Sequence, residues 1–381
     1  MGDLTVFTPG EYRSRVERTL AAMRREGVDA LIAFANKVMP GHVRWLSGYE
    51  TRHGIHDWSF CVLSNARDPA LLTNVSWEDL CSFTPFPDVA IVGLREVAQR
   101  LVERVPRAAR KIGIAGFDAL PAPVYCDLAR ALPDAEITDA SRLVLEQRAV
   151  KSPAEIAALR ECARITDAGG AAFIDGAREG ASEREVLVEV ESAMKSSGSD
   201  EVSFTTQVGA GVRTAVVCPY ATDLRLSRGD LVQLDCGATY QGYRGDLSRV
   251  VAIGTVPARQ SELLDATAEM YDRMVAALRP GVRASAVARA GIEVAERRGL
   301  GDLLYRSPNH QAGFVGHGIG CSYTEPPEIE PRNDAEILEN MVVVIEPIIA
   351  EPGVGGVKLE DAVLVTASGA ERLSTLPFRL W

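Results

Sequence analysis

The sequence predicts an α/β domain over residues 1–148 followed by an α+β domain over residues 149–381. Three observations carry this reading. A length of 381 residues exceeds one typical core and suggests two domains at roughly 150 residues each. The N-terminal part alternates helix-spaced and strand-like apolar runs, the order of a sheet covered by helices. Ser152, Pro153 and Glu155 then supply an N-cap, a proline in the first helical turn and a capping-box carboxylate, so a long helix opens a second unit there.

In order along the chain, Tyr12, Val16, Leu20 and Met23 fall at helical spacing, and "VDALIAFA" follows as a strand. The runs "FCVLS", "PALLTNV", "VAIVGL" and "KIGIAG" read as further strands, with "LREVAQRLVERV" and "VYCDLARAL" as helices between them. Beyond residue 150, Ser182 and Glu185 repeat the capping box. Strand-like "VSFTTQVGAG" and "DLVQLDCGA" come next, then helices over roughly 258–278 and 284–298, then two apolar runs near the C-terminus.

Composition narrows the function classes. Forty-one Lys and Arg against 52 Asp and Glu give a net charge of -11 with no basic run, which argues against a nucleic-acid partner. No stretch approaches 18 uninterrupted apolar residues, so no membrane span is expected, and a cytoplasmic location is expected. The seven cysteines are odd in number and never spaced C-x-x-C, which speaks against a disulfide framework and a thiolate zinc site.

Two acidic pairs carry the chemistry. If Gln241-Gly242 forms the tight turn of the hairpin in "LVQLDCGATYQGYRGDLSRVVAI", Gly237 faces Asp246, and Asp235 becomes its diagonal neighbour on one face, about 7 Å away. In "MVVVIEPIIAEPGVGGVKLEDAVLVT" a loop centred near Gly353 puts Glu346 opposite Glu360, each flanked by apolar residues. Carboxylates so close raise each other's pKa unless a cation sits between them, and an ionised carboxylate on a core strand needs a partner. Lys358 is a candidate for a structural ion pair; taken singly, Asp235 reads as a strand cap and Asp246 as a solvated turn residue. His317 stands between Gly316 and Gly318, with Gly320 beyond, suggesting a backbone cleared for close approach. Two Asp, two Glu and one His form a mixed oxygen and nitrogen set suited to Mn, Co, Fe or Zn. Five ligands with four carboxylates fit a pair of ions about 3.5 to 4 Å apart.

In this order, "LDCGATYQGYRGDLSRV", "GHGIG" followed by "EPP", "MVVVIEP" and "GVKLEDAVLVT" resemble the metal signature of the M24 pita-bread superfamily. That superfamily includes methionine and Xaa-Pro aminopeptidases, prolidases, creatinase and DddP-type lyases. The resemblance covers about residues 150–375. It implies a pita-bread C-terminal domain with a dinuclear metal site and, in the two-domain branch, a creatinase/prolidase-like N-terminal domain. Carried over residue by residue, it implies that Asp235 chelates one metal, His317 and Glu346 the other, and Asp246 and Glu360 bridge both.

The pattern also departs from the family's. Where peptidases of the superfamily carry a histidine seven residues after the ligand histidine, this chain has Thr324; where they carry another at the end of a segment like "VGAGVRTAVVC", it has Cys218. A third family histidine, four residues before the ligand, corresponds to Gly313, with His310 seven before. The implied chemistry is hydrolysis of a C–N bond in a small amide, amidine or dipeptide-like molecule by a metal-bridging hydroxide, with Glu346 taking the proton. A DddP-type lyase, an Xaa-Pro peptidase and a non-catalytic binding module are the alternatives, and the full ligand set argues against the last. Cys218 reads as a nucleophile or as a buried filler, Thr324 and Tyr323 as substrate-orienting or strand-ending residues, and Arg249 as a partner of a metal carboxylate or an exposed strand residue. Family members with this N-terminal domain lend its loop to a neighbouring subunit. Tyr49, Arg52, His53, His56, Asp57 and Trp58 are therefore candidates for substrate binding across a homodimer, the other reading being a solvated loop with Trp45 and Trp58 packed.

Overall fold

The computed structural model describes residues 7–51, 57–75, 84–305 and 313–381. The chain divides into two compact units, Met1–Arg148 and Ala149–Trp381.

In the first unit, α1 (Pro9–Glu26) is capped by the Thr8 side chain and stopped by Gly27 at φ 66°. Then follow β1 (Ala30–Asn36), α2 (Gly41–Ser47), β2 (Trp58–Ser64), β3 (Arg67–Thr73), β4 (Asp88–Ile91), α3 (Val97–Val102), β5 (Lys111–Ala115), α4 (Ala122–Ala131), β6 (Glu136–Asp139) and α5 (Ser141–Ala149). The strands form one mixed sheet in the order β4-β3-β2-β1-β5-β6. Ile32, Phe34, Phe60, Leu72, Ile112 and Ile114 pack against Leu101 of α3 and Leu128 of α4, all buried. Helix α2, strand β6 and helix α5 were not foreseen from periodicity. At seven residues α2 is too short to show a helical period, and all of it is buried, so packing rather than propensity holds it.

The second unit opens with α6 (Pro153–Gly176) and α7 (Glu183–Ser196), each started by a complete capping box from Ser152–Glu155 and Ser182–Glu185. Then come β7 (Gln207–Ala210), β8 (Leu231–Cys236), β9 (Thr239–Tyr240), β10 (Tyr243–Arg244), β11 (Leu247–Ala252), α8 (Ala258–Ala277) and α9 (Ala284–Arg297). Finally there are β12 (Gly316–Gly318), β13 (Val342–Ile345), β14 (Ile348–Glu351), β15 (Gly355–Lys358), β16 (Glu360–Thr366) and β17 (Gly369–Arg372). The main sheet runs β12-β13-β16-β11-β8-β7, with β17 beside β16.

Strand alternation sorts this sheet into two faces. Val232, Leu234 and Leu247 pack with Ile165 and Phe173 of α6 and Val190 of α7. Val343, Ile345 and Val363 pack with Met274 of α8 and Val287 of α9. Each such side chain, fully buried, contributes roughly 1.5–3 kcal/mol, so this apolar face anchors the sheet. The residues between them point to the opposite face, and there the predicted ligands lie. No helix among the described residues is long and apolar enough to cross a membrane.

Candidate metal centre

Two hairpin registers place the acidic residues. Strands β8 and β11 pair Asp235 with Ser248 and Cys236 with Leu247, and the same register continues through Thr239–Arg244 and Tyr240–Tyr243. Its centre is Gln241-Gly242, both at positive φ (53° and 76°), the arrangement of a type I′ turn. Asp246 therefore stands opposite Gly237 and diagonal to Asp235, as the turn residues predict. Strands β13 and β16 pair Ile345 with Asp361, and β14 with β15 pair Ile348 with Lys358, around Gly353 at φ 81°. That register sets Glu346 across from Glu360. Strand β11 in turn pairs Ser248 with Glu360. The row Asp235, Ser248, Glu360, Glu346 thus crosses four neighbouring strands on one face, with Asp246 one step diagonal.

His317 joins the row from β12, where it pairs with Val344, two residues before Glu346. The close approach that its flanking glycines suggest is made by neighbouring backbone. A Cβ at Gly316 would lie 2.2 Å from the Val344 carbonyl oxygen, and one at Gly318 would lie 2.4 Å from that of Pro326. The space they clear is filled by the backbone of β13 on the Gly316 side and of Glu325–Pro326 on the Gly318 side, so β12 is held closely between them.

The donor chemistry suits a cation. His317 Nδ1 lies 2.9 Å from the Gly318 carbonyl oxygen, which only accepts, so the ring donates there and turns its Nε2 lone pair toward Glu346 Oε1 at 3.3 Å and Asp246 Oδ2 at 3.7 Å. Burial lowers the His317 pKa and favours the neutral ring. Three groups whose lone pairs converge in this way suit a shared cation. Asp246, His317 and Glu360 offer ligand atoms all within 4.8 Å of one another. Asp235 Oδ1, Asp246 Oδ1 and Glu360 Oε1 are buried without a hydrogen-bond partner in the protein. Burial pushes Asp235 up to about 6 against the opposing pull of Lys358. Burial likewise raises Asp246 and Glu360, with Glu360 and Asp235 adding to the rise at Asp246 and Glu346 to that at Glu360. These residues fit a bound divalent ion.

Lys358 also enters the centre. Its buried ammonium lies 2.8 Å from Asp235 Oδ2, 3.1 Å from Glu360 Oε2 and 3.2 Å from Glu346 Oε2. Burial alone would lower its pKa, but the attraction of Asp235, Glu360, Glu346 and Asp246 prevails and holds it well above the ordinary value. The ion pair considered from sequence therefore exists, with three carboxylates rather than one.

Above the row opens a cavity of about 380 Å³, lined by the ligand residues together with Phe204, Cys218, Tyr220, Phe314, Tyr323 and Thr324.

The sequence profile of the metallopeptidase family M24 matches residues 157–367, and that of the creatinase/prolidase N-terminal domain matches residues 15–150. The chain belongs to metallopeptidase family M24. An Xaa-Pro dipeptidase of Pyrococcus furiosus is 35% identical over 232 residues, 61% of this chain and 65% of that protein, so the chain spans just under two thirds of this relative. An uncharacterized peptidase of Bacillus subtilis is 29% identical over 363 residues, 93% of this chain and 96% of the relative. Among solved structures, the prolidase from Pyrococcus horikoshii superposes with a TM-score of 0.85 at 26% identity, covering 97% of this chain and all of that one. An Xaa-Pro dipeptidase from Bacillus anthracis gives 0.84 at 28% identity, with 97% and 99% coverage.

Within this M24 chain, several expectations meet different surroundings. Cys218 is exposed in the cavity rather than a buried filler, and burial of part of its surface raises the thiol pKa, which disfavours a thiolate nucleophile. Thr324 and Tyr323 line the cavity, and the Tyr323 ring lies 5.9 Å from that of Phe204. Tyr49 and Trp58 are buried in the first unit: the Tyr49 hydroxyl bonds Thr73 and Trp58 packs edge-on against Phe60. Asp57 is buried there as well, and Trp45 is packed as expected. Arg52, His53, His56 and His310 lie outside the described residues.

Arg249 is neither exposed nor beside a ligand carboxylate. It emerges on the helix-covered face, where its guanidinium donates to the carbonyl oxygens of Ser248 at 2.9 Å and Glu360 at 2.8 Å and pairs with Asp361 at 2.7 Å. Tyr271 and Arg372 complete the Asp361 carboxylate. This buried clamp ties β11 to β16 directly behind Glu360. Sequence reasoning missed Asp361 and Ser248, whose hydroxyl donates to Glu360 Oε2 at 2.6 Å. The signal was available in strand parity: Asp361 follows a ligand and so faces the other way.

Proposed function

We propose that this chain is a divalent-metal-dependent hydrolase that cleaves the C–N bond of a small amide, amidine or dipeptide-like substrate. The observation that carries the reading is the single-face row of Asp235, Glu360, Glu346, Asp246 and His317, with its partnerless buried oxygens, at the base of a 380 Å³ cavity. Asp235 would hold one ion, His317 and Glu346 a second, and Asp246 and Glu360 would be shared, with Mn, Co, Fe or Zn compatible with these donors. Bound there, such ions supply Lewis-acid polarisation and activation of water at neutral pH. The chain's own residues do the rest. Glu346, which lines the cavity, would accept the proton released by the attacking water. Phe204, Phe314 and Tyr323 exclude solvent around the substrate.

The relatives named Xaa-Pro dipeptidase and prolidase support a dipeptide-like substrate. The cavity argues that ordinary Xaa-Pro dipeptides are poor ones. His317 is the one imidazole among its described lining residues, and that ring is committed to Gly318 and the acidic row, so none of them is a second imidazole free to move protons at the leaving nitrogen. No observation favours elimination chemistry, and the intact donor set speaks against a purely binding module. The metal-loaded protein should be assayed against Ala-Pro and Gly-Pro beside a panel of small amides and amidines, with products followed by mass spectrometry and amine release. Turnover of a small amide well above that of either dipeptide is expected. Efficient cleavage of Ala-Pro would replace this reading with that of an Xaa-Pro dipeptidase.

A homodimer belongs to the same proposal. Val212, Val216 and Tyr220 are 59%, 52% and 77% exposed, and Tyr220 stands at the cavity. Apolar side chains so placed are suited to cover by a second copy. Sedimentation is expected to give twice the chain mass of 41.0 kDa; a monomer at micromolar concentration ends this part of the proposal.

A further inference from the structure

One wall of the cavity is a loop whose two ends meet at a single buried carboxylate. Glu183, the first residue of α7, is fully buried and is not among the residues that line the cavity. Its Oε1 accepts from Ala210 N at 2.9 Å and from Arg213 Nε at 3.1 Å. Its Oε2 accepts from Thr222 N at 2.8 Å and from Thr222 Oγ1 at 2.6 Å. Between these ends, Arg213 Nη2 donates to the Tyr220 carbonyl oxygen at 2.6 Å. Pro219 folds back onto β7, where a Cβ at Gly209 would lie 2.7 Å from its ring. Thr214 Oγ1 accepts from Gly356 N of β15 at 2.8 Å. Val217, Cys218 and Tyr220 are the part of this loop that lines the cavity.

We propose that Glu183 is a positioning residue: through Ala210, Arg213 and Thr222 it fixes the wall formed by Val217, Cys218 and Tyr220, and so sets how tightly substrate is held without touching substrate or metal. This inference rests on the reading of the cavity as the substrate site. A fully buried carboxylate persists as an ion only where donors replace water, and these four bonds, one of them from a guanidinium, do so. Without them the loop must be ordered against its own chain entropy by the remaining contacts, and its local opening becomes easier. A wall that contacts substrate in the ground state and the transition state alike changes KM more than kcat.

The test uses the full-length, manganese-loaded protein and iodoacetamide, whose alkylation of the exposed Cys218 is followed by peptide mass spectrometry. In Glu183→Ala, alkylation of Cys218 and amide exchange over residues 211–222 should each quicken by about tenfold, with manganese content unchanged. On the best substrate of the amide and dipeptide panel, KM should rise about tenfold while kcat stays within about threefold of wild type. Glu183→Gln keeps an oxygen facing Ala210 and Arg213 and should restore most of the wild-type KM. Arg213→Met removes the guanidinium from a partly exposed site and should act in the same direction more weakly, giving a readout even if Glu183→Ala does not fold. Loss of manganese, a fall in kcat with KM unchanged, or a Cys218 alkylation rate unchanged in these variants overturns the inference while leaving the hydrolase standing. If wild type turns over nothing on the panel, the hydrolase reading falls and this one with it.

Discussion

Asp246→Ala and Glu360→Ala are expected to lose bound divalent metal and to fall at least on the order of 10⁴ in turnover, because the activation of water toward a pKa of ~7 disappears with the ion. Both residues belong to the group whose ligand atoms converge, and each carries a partnerless buried oxygen. The stability readout is independent of any substrate. Metal at about 1,000 times its dissociation constant stabilises the fold by roughly 4 kcal/mol, so exhaustive chelation of wild type should lower the melting temperature by on the order of 10 °C. The pH dependence has a definite sign. In the metal-free protein Asp235 sits at about 6 against an ordinary value of 3.8, so the stability it contributes is fully present below 3.8 and is lost as pH rises through about 6. Asp246 and Glu360 are raised in the same sense. Metal binding, conversely, needs these groups ionised. The melting gap between loaded and metal-free protein should therefore narrow as pH falls from about 7 to 5. A gap that is flat over this range, or a wild-type protein indifferent to chelation, would show that these carboxylates are not the ligands.

The ligand row was legible because two turns encode it. Gln241-Gly242 and Gly353 tolerate positive φ, and once they are taken as hairpin centres, period-two alternation assigns every carboxylate to a face. The capping boxes of α6 and α7 were legible for the same reason: both partners lie within four residues of each other. Lys358 was visible as a neighbour of Glu360, but its reach to Asp235 spans 123 positions and depends on the separate β14–β15 ribbon folding back over the row. Arg249 was misassigned because its partner Asp361 lies on the other side of the strand from the ligand. Tyr49 and Trp58 are candidate substrate groups through the loop that family members lend to a neighbouring subunit, packing of Trp58 being the other reading. In the fold Trp58 begins β2 and packs on Phe60, and Tyr49 follows the buried helix α2. A seven-residue helix leaves no periodic trace that would have warned of this.

Thr324→His is expected to raise turnover of Ala-Pro by about 10²-fold while leaving metal content unchanged, because a positioned acid or base typically contributes ~10²–10⁴ in rate. Thr324 lines the cavity beside Tyr323, and its side chain carries no titrating group. A hydroxyl there can accept and donate a hydrogen bond but cannot hold the proton that a departing proline nitrogen needs. Cys218, the other cavity residue in question, holds its proton even more firmly than an ordinary thiol because burial raises its pKa. An imidazole at 324 changes that, and it adds a signature which mere repacking would not produce: a new limb in the pH profile of kcat near ~6.5, the ordinary imidazole value. Thr324→Asn provides the control, similar in polarity but without a titrating group, and should give neither the rate gain nor the limb. The expected pattern is a gain confined to dipeptides, with small-amide turnover unchanged or reduced as the cavity narrows. If wild type already cleaves Ala-Pro efficiently and Thr324→His leaves both rate and pH profile untouched, proton transfer at the leaving nitrogen is supplied elsewhere, and the argument that this cavity disfavours proline dipeptides falls with it.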